Sequence, residues 1–173
     1  MFDCREMFRH ACAFAEVADM ATEKFEHDTA DISWYTTPAA VNSAFACEVY
    51  LKSILKYKGI IYETVKTDKS GKKHKKSIHD LKKLFELLPE WEREWVKAAA
   101  THNNAGQWYD VFGREILANI SQAFTGWRYI YEVDFTKTCS VGIDSGFLTA
   151  FRNALREASC QLFFQMTWEE YKQ

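Results

Sequence analysis

The chain has 173 residues, of which 47% are hydrophobic and 16% aromatic, and its formal charge is −2. That length and composition suit one domain with a sizeable core and exclude a disordered chain. Seven glycines and two prolines are too few for the closely spaced turns of a β-sandwich or barrel. No apolar run reaches the ~18 residues of a membrane span, and the amino end has no basic-then-apolar leader. A cytoplasmic domain without membrane association is expected.

The first helix is predicted from about Asp3 to Asp28, because Met7, Ala11, Phe14, Ala15, Ala18 and Ala21 recur at spacings of three and four, with Phe25 continuing the stripe. Residues 29–37 lack that period and read as a loop. Thr37 as N-cap and Pro38 as first helical residue open a second helix. Its buried face is read as Val41, Phe45, Val49, Ile54 and Leu55, and Gly59 closes it. Glu48 and Lys52 stand one turn apart, in the order that favours an intrahelical ion pair.

Residues 60–76 begin apolar and turn into a lysine-rich loop. Residues 66–83 hold eight lysines against Asp68 and Asp80, a net of +6 inside a chain of net −2, so an acidic body carries one basic segment. Clustered lysines either solvate a loop or release counterions on meeting nucleic-acid phosphates. A third helix starts near Ser77–Asp80, with Leu81, Leu84, Phe85 and Leu88 on one face, and Pro89 stops it. Glu90–Ala100 forms a short amphipathic piece bearing Trp91, Trp95 and Val96.

From Trp108 to Tyr131 the apolar positions Phe112, Ile116, Ile120, Phe124, Trp127 and Tyr131 mark a long helix. Residues 133–144 lose the period and are expected to be a loop or a short hairpin. Asp144 or Ser145 caps a last helix, whose apolar side is Phe147, Phe151, Leu155, Leu162, Phe163 and Met166. Helices with one apolar stripe each, joined by mostly short loops, predict an all-α, antiparallel up-and-down bundle of five to six helices over residues 1–173.

The five cysteines have no C-x-x-C spacing and form no finger or ribbon pattern with histidine, so neither a metal site nor a cofactor is expected. No glycine-rich phosphate loop, H-E-x-x-H or G-x-S-x-G motif is present.

The segment Glu48-Val-Tyr-Leu51-Lys52 and the later His79-Asp80-Leu81 together resemble the HEPN domain (higher eukaryotes and prokaryotes nucleotide-binding). Its members commonly show an E-x-x-L-K segment followed by an H-D-L segment opening the next helix. The run from Phe124 to Glu132 is similar to the aromatic and basic end of the following family helix. The resemblance implies an up-and-down bundle, homodimerisation, and binding of RNA or a nucleotide. It also implies a place in defence or toxin–antitoxin modules, with a nucleotidyltransferase as one candidate partner protein. Family ribonucleases carry R-x4-6-H near the start of the last helix. Here Arg152, Asn153 and Arg156 are present, but no histidine follows His102, and the one R-x4-H, Arg5 to His10, lies at the opposite end.

The expectation is therefore an RNA- or nucleotide-binding domain without the standard nuclease residues, and no residue is assigned as catalytic. The binding candidates are Lys72, Lys73, Lys75, Lys76, His79, Arg128 and Arg152. Asp80 reads as a helix cap beside His79, and Glu48 could meet Arg128 or Arg152 across the bundle. Two alternatives stay open: a metal-independent ribonuclease with a non-standard set such as His79, Arg128 and Arg152, or a purely protein-binding helical module.

Overall fold

A computed structural model describes residues 3–26, 34–68, 70–103, 117–118, 120–121 and 144–173. Within them the chain is predominantly helical and carries one small antiparallel sheet. In chain order the elements are α1 (Cys4–Glu26), α2 (Thr36–Tyr57), β1 (Glu63–Thr67), β2 (Lys73–Ser77), α3 (Leu81–Glu86), α4 (Glu90–Asn103), α5 (Ser145–Phe164) and α6 (Trp168–Tyr171). Most of the expected 108–131 helix and segment 133–143 lie outside the described residues. Leu117 and Ile120 are described, and both are buried.

Helix α1 lies along α2 through a run of small side chains: Ala11, Ala15 and Ala18 are completely buried. Alanine lets two backbones approach closely at little entropic cost. The large anchor of this face is Phe8 rather than Met7. Its buried ring meets Tyr171 at 5.2 Å, Phe164 at 5.5 Å, Tyr50 at 5.8 Å and Phe163 at 6.0 Å. Positions 8, 11, 15 and 18 satisfy the helical period as well as 7, 11, 14 and 18, so spacing alone does not choose between them.

Helix α2 is the centre of the fold and corrects the sequence reading twice. Its N-cap is Tyr35, with no side-chain cap bond, and Thr37 and Pro38 lie inside its first turn. Proline's missing N–H is harmless there, because the first four N–H groups have no helical partner. Secondly, Val41, Phe45 and Val49 are only half-buried, whereas Ala44, Cys47, Leu51, Ile54 and Leu55 are core. From Ser43 to Leu55 the helix is covered on nearly every side by α1, α3 and α5, and even Glu48, Lys52 and Ser53 are buried. The end follows the expectation: Gly59 adopts φ +71°, Ile60 N–H reaches Leu55 O at 2.8 Å, and Gly59 N–H reaches Lys56 O at 3.0 Å. These two bonds form a Schellman closure, which needs a left-handed residue at that position.

The lysine-rich segment is a β-hairpin rather than a loop. Strand pairing runs from Glu63↔Ser77 to Thr67↔Lys73, with Lys66 opposite His74. Thr64, Val65 and Thr67 supply the β-branched residues, and the turn supplies the register. Gly71 sits at φ +83°, and Asp68 Oδ1 accepts from Ser70 N–H (2.8 Å) and Lys72 N–H (3.0 Å).

Asp80 caps α3, accepting from Lys83 N–H at 3.0 Å, and Leu81, Leu84, Phe85 and Leu88 are buried as expected. Helix α4 continues three residues past Ala100. Asp144 caps α5, accepting from Phe147 N–H at 2.7 Å. Helix α6 is pinned by a capping box at Thr167 and Glu170, and by Arg156, whose guanidinium stands 4.4 Å from the Trp168 ring centroid.

Candidate functional site

Two features meet near the start of α3. The first is the hairpin. All five β1 residues are exposed, as are the first four of β2, so neither face of the ribbon packs on the body. Alternation places Lys73 and Lys75 on one face, and Lys66, His74 and Lys76 on the other. Lys75 lies 3.4 Å from Glu63, and His74 Nε2 lies 2.8 Å from Asp68 Oδ2. Among the described residues Lys66, Lys72, Lys73 and Lys76 form no ion pair. Hydrogen bonds from the Ser70 hydroxyl, His74 and the Lys72 backbone hold the Asp68 carboxyl down at about 2.

The second feature is a polar trio sunk into the side of α2. Glu48 Oε1 accepts from Lys52 Nζ at 2.7 Å and lies 2.9 Å from His79 Nδ1. The expected intrahelical pair is therefore present, and it has a third member 31 residues away. Glu48 has a side chain only 3% exposed and Lys52 11%, but the His79 ring is 51% exposed. The ammonium of Lys52 also stands 5.7 Å from the Tyr62 ring centroid. Among the described residues the second carboxylate oxygen, Glu48 Oε2, is buried without a hydrogen-bond partner.

Local structure fixes His79 from both sides. Ile78 N–H bonds Tyr62 O at 3.0 Å, extending the hairpin ladder by one rung, and Asp80 is tied to the first turn of α3. The histidine thus sits at the hinge between the basic ribbon and the body, two residues after β2 ends. A carboxylate oxygen can only accept, so the proton between the two groups is on Nδ1, and in the neutral ring the lone pair is on Nε2. Among the described residues Nε2 has no partner.

Of the other candidates, Arg152 is placed elsewhere: it is 2% exposed, its Nη2 pairs with Asp19, and its Nη1 reaches Ala15 O at 3.4 Å. Its charge is spent tying α5 to α1, and Glu48 does not meet it. Arg128 and the aromatic residues around it lie outside the described residues. Sequence patterns single out both segments but do not show the Glu48–His79 contact, since nothing in one sequence reports a contact across 31 positions. A separate apolar groove of about 360 Å³ lies between α2, α4 and α5, lined by Ile54, Trp91, Trp95 and Leu162 among others. Trp91 is 76% exposed there, and Lys58 pairs with Glu92, another of the lining residues.

Burial pushes the thiols of Cys47 and Cys160 up to about 12, which makes them packing residues rather than nucleophiles. Among the described residues no cluster of three or more His, Cys, Asp or Glu is placed to hold a metal ion, and no helix is long and apolar enough to cross a membrane. No protein-family model matches the chain, and no curated protein or solved structure is significantly similar to it.

Proposed function

We propose that this chain is a HEPN-like helical domain of the up-and-down type that binds single-stranded RNA through the 63–77 hairpin. The observation that carries the reading is the ribbon itself: a basic two-stranded element exposed on both faces, with four lysines that form no ion pair among the described residues. An isolated hairpin is marginal in water, and crowding like charges onto one weakens it further. A polyphosphate backbone supplies the opposing charge that the protein does not. Lysines on both faces can neutralise successive phosphates, and binding of this kind is insensitive to base sequence and steep in salt.

The test is a salt titration of RNA affinity for the wild type and for the variant with Lys72, Lys73, Lys75 and Lys76 replaced by glutamine. Each lost phosphate contact flattens the log–log slope by about 0.7 on a single strand, so four contacts remove about 3 from it. Affinity should fall alike for unrelated sequences while the helical signal is unchanged, since the strands bury nothing. An unchanged slope refutes the reading. A wild type that binds no RNA favours the protein-binding alternative.

A further inference from the structure

We infer that His74, on the hairpin face that also carries Lys66 and Lys76, is a phosphate-binding residue that takes up a proton as RNA binds; the inference rests on the RNA-binding reading above. Lys66 stands directly across the ladder from His74, and Lys76 shares its face two residues along. Lys72, two residues back, lies at the turn, where its backbone N–H bonds Asp68. The remaining charged group beside the ring is Asp68 itself, whose Oδ2 lies 2.8 Å from Nε2. Both strands are exposed, so among the described residues these four groups set the field at the imidazole.

Asp68 decides which edge of the ring can meet a phosphate. Its carboxyl is held down at about 2, so it stays ionised across the range in which an imidazole changes charge. An ionised carboxylate only accepts, which keeps a proton on Nε2 in either state of the ring. In the neutral ring the other nitrogen, Nδ1, therefore carries a lone pair and repels a phosphate oxygen. Among the described residues Nδ1 has no partner, and the side chain is 53% exposed. One proton from solvent turns Nδ1 into a donor and the ring into a cation between Lys66 and Lys76. In the free protein the three ammonium groups oppose that proton and Asp68 favours it. A phosphate drawn in by the lysines adds a second negative partner and lowers the cost of the imidazolium. Binding and protonation thus strengthen each other by the same factor. The sign follows: the contribution is complete where the imidazole is charged and is lost as pH rises through its titration.

The experiment measures affinity of the full chain for a single-stranded uridine oligomer, whose bases keep one charge state over the range, in a salt series at about pH 5.5 and about pH 8. One added phosphate contact steepens the log–log slope by about 0.7, which in about 0.1 M salt is about 5-fold in affinity. The wild type should show both at the lower pH, and calorimetry in two buffers of different ionisation heat should register net proton uptake. His74→Gln, an exposed substitution, should lose the gain at the lower pH. In Asp68→Asn the amide oxygen can keep the turn bonds to Ser70 and Lys72 while its NH2 donates to Nε2, which moves the ring proton to Nδ1. The affinity of that variant should depend less on pH than that of the wild type. A pH dependence that survives in His74→Gln overturns the inference. So does a wild type that binds with the expected lysine-dependent salt slope but equally at both pH values, which leaves the binding reading standing. If the wild type binds no RNA at either pH, both fall.

Discussion

Replacing Glu48 by glutamine tests whether the trio on α2 is an ion pair taken out of water. The ammonium of Lys52 lies 2.7 Å from Oε1. At an effective dielectric constant near 20, that separation corresponds to about 6 kcal/mol of gross attraction, most of it offset by desolvation of the two charges. Glutamine keeps the shape and removes the charge, leaving an ammonium 11% exposed that faces a neutral amide and the Tyr62 ring. Breaking a buried pair from one side costs about 3–5 kcal/mol, and residual exposure of Lys52 puts this case near 3. Lys52→Met should cost more, because the carboxylate left behind is 3% exposed and keeps His79 Nδ1 but no ammonium. The double variant removes both charges and should lose less than the sum of the singles by about 2 kcal/mol. Urea unfolding followed by helical circular dichroism reads all four proteins, and the glutamine variant should melt about 6–12 °C lower. Single-variant losses that add within about 0.5 kcal/mol would refute the reasoning, since they would mean the charges do not interact. A loss near 3 kcal/mol leaves a domain of ordinary stability folded at 25 °C, so RNA binding by the same variant can be measured.

Phe8→Ala empties a buried site bounded by four rings, and the same urea assay should show a loss of about 3–5 kcal/mol; a loss under about 1 kcal/mol would mean that α6 and α1 do not share this contact. Asp68 titrates at about 2 in the folded hairpin against an ordinary 3.8. A depressed carboxylate stabilises the turn above its unfolded value, so that contribution is complete above about pH 5 and is lost as pH falls through about 2. Nuclear magnetic resonance of the Asp68 carboxyl and of the Ser70 and Lys72 amides should follow this course, and a midpoint near 3.8 would show that the turn bonds are absent in solution.

The positions of most described helices were legible because each carries its own period and punctuation. Gly59 closes α2 by the one conformation a C′ residue needs, Asp80 and Asp144 cap the helices they precede, and Pro89 separates α3 from α4. These are local effects, decided within four or five residues, and one sequence contains all the information they require. The stripe of α2 was misread for the opposite reason. A helix surrounded on nearly every side has no polar face to contrast with its apolar one, so its period weakens. The hairpin escaped because Lys-His-Lys-Lys-Ser has neither alternation nor β-formers, and its pairing comes from the turn and from the partner strand.

The candidate site divides along the same line. The charge of the ribbon, the Glu48–Lys52 spacing and the cap at Asp80 belong to the sequence alone, because each depends on neighbours within one element. What the tertiary structure decided is which charges stay available. It buried Arg152 against α1, left the hairpin lysines in solvent, and carried His79 across 31 positions to Glu48, the carboxylate of α2. Burial and long-range pairing depend on how helices stack around α2, and that stacking minimises the free energy of the whole chain rather than of any segment in it.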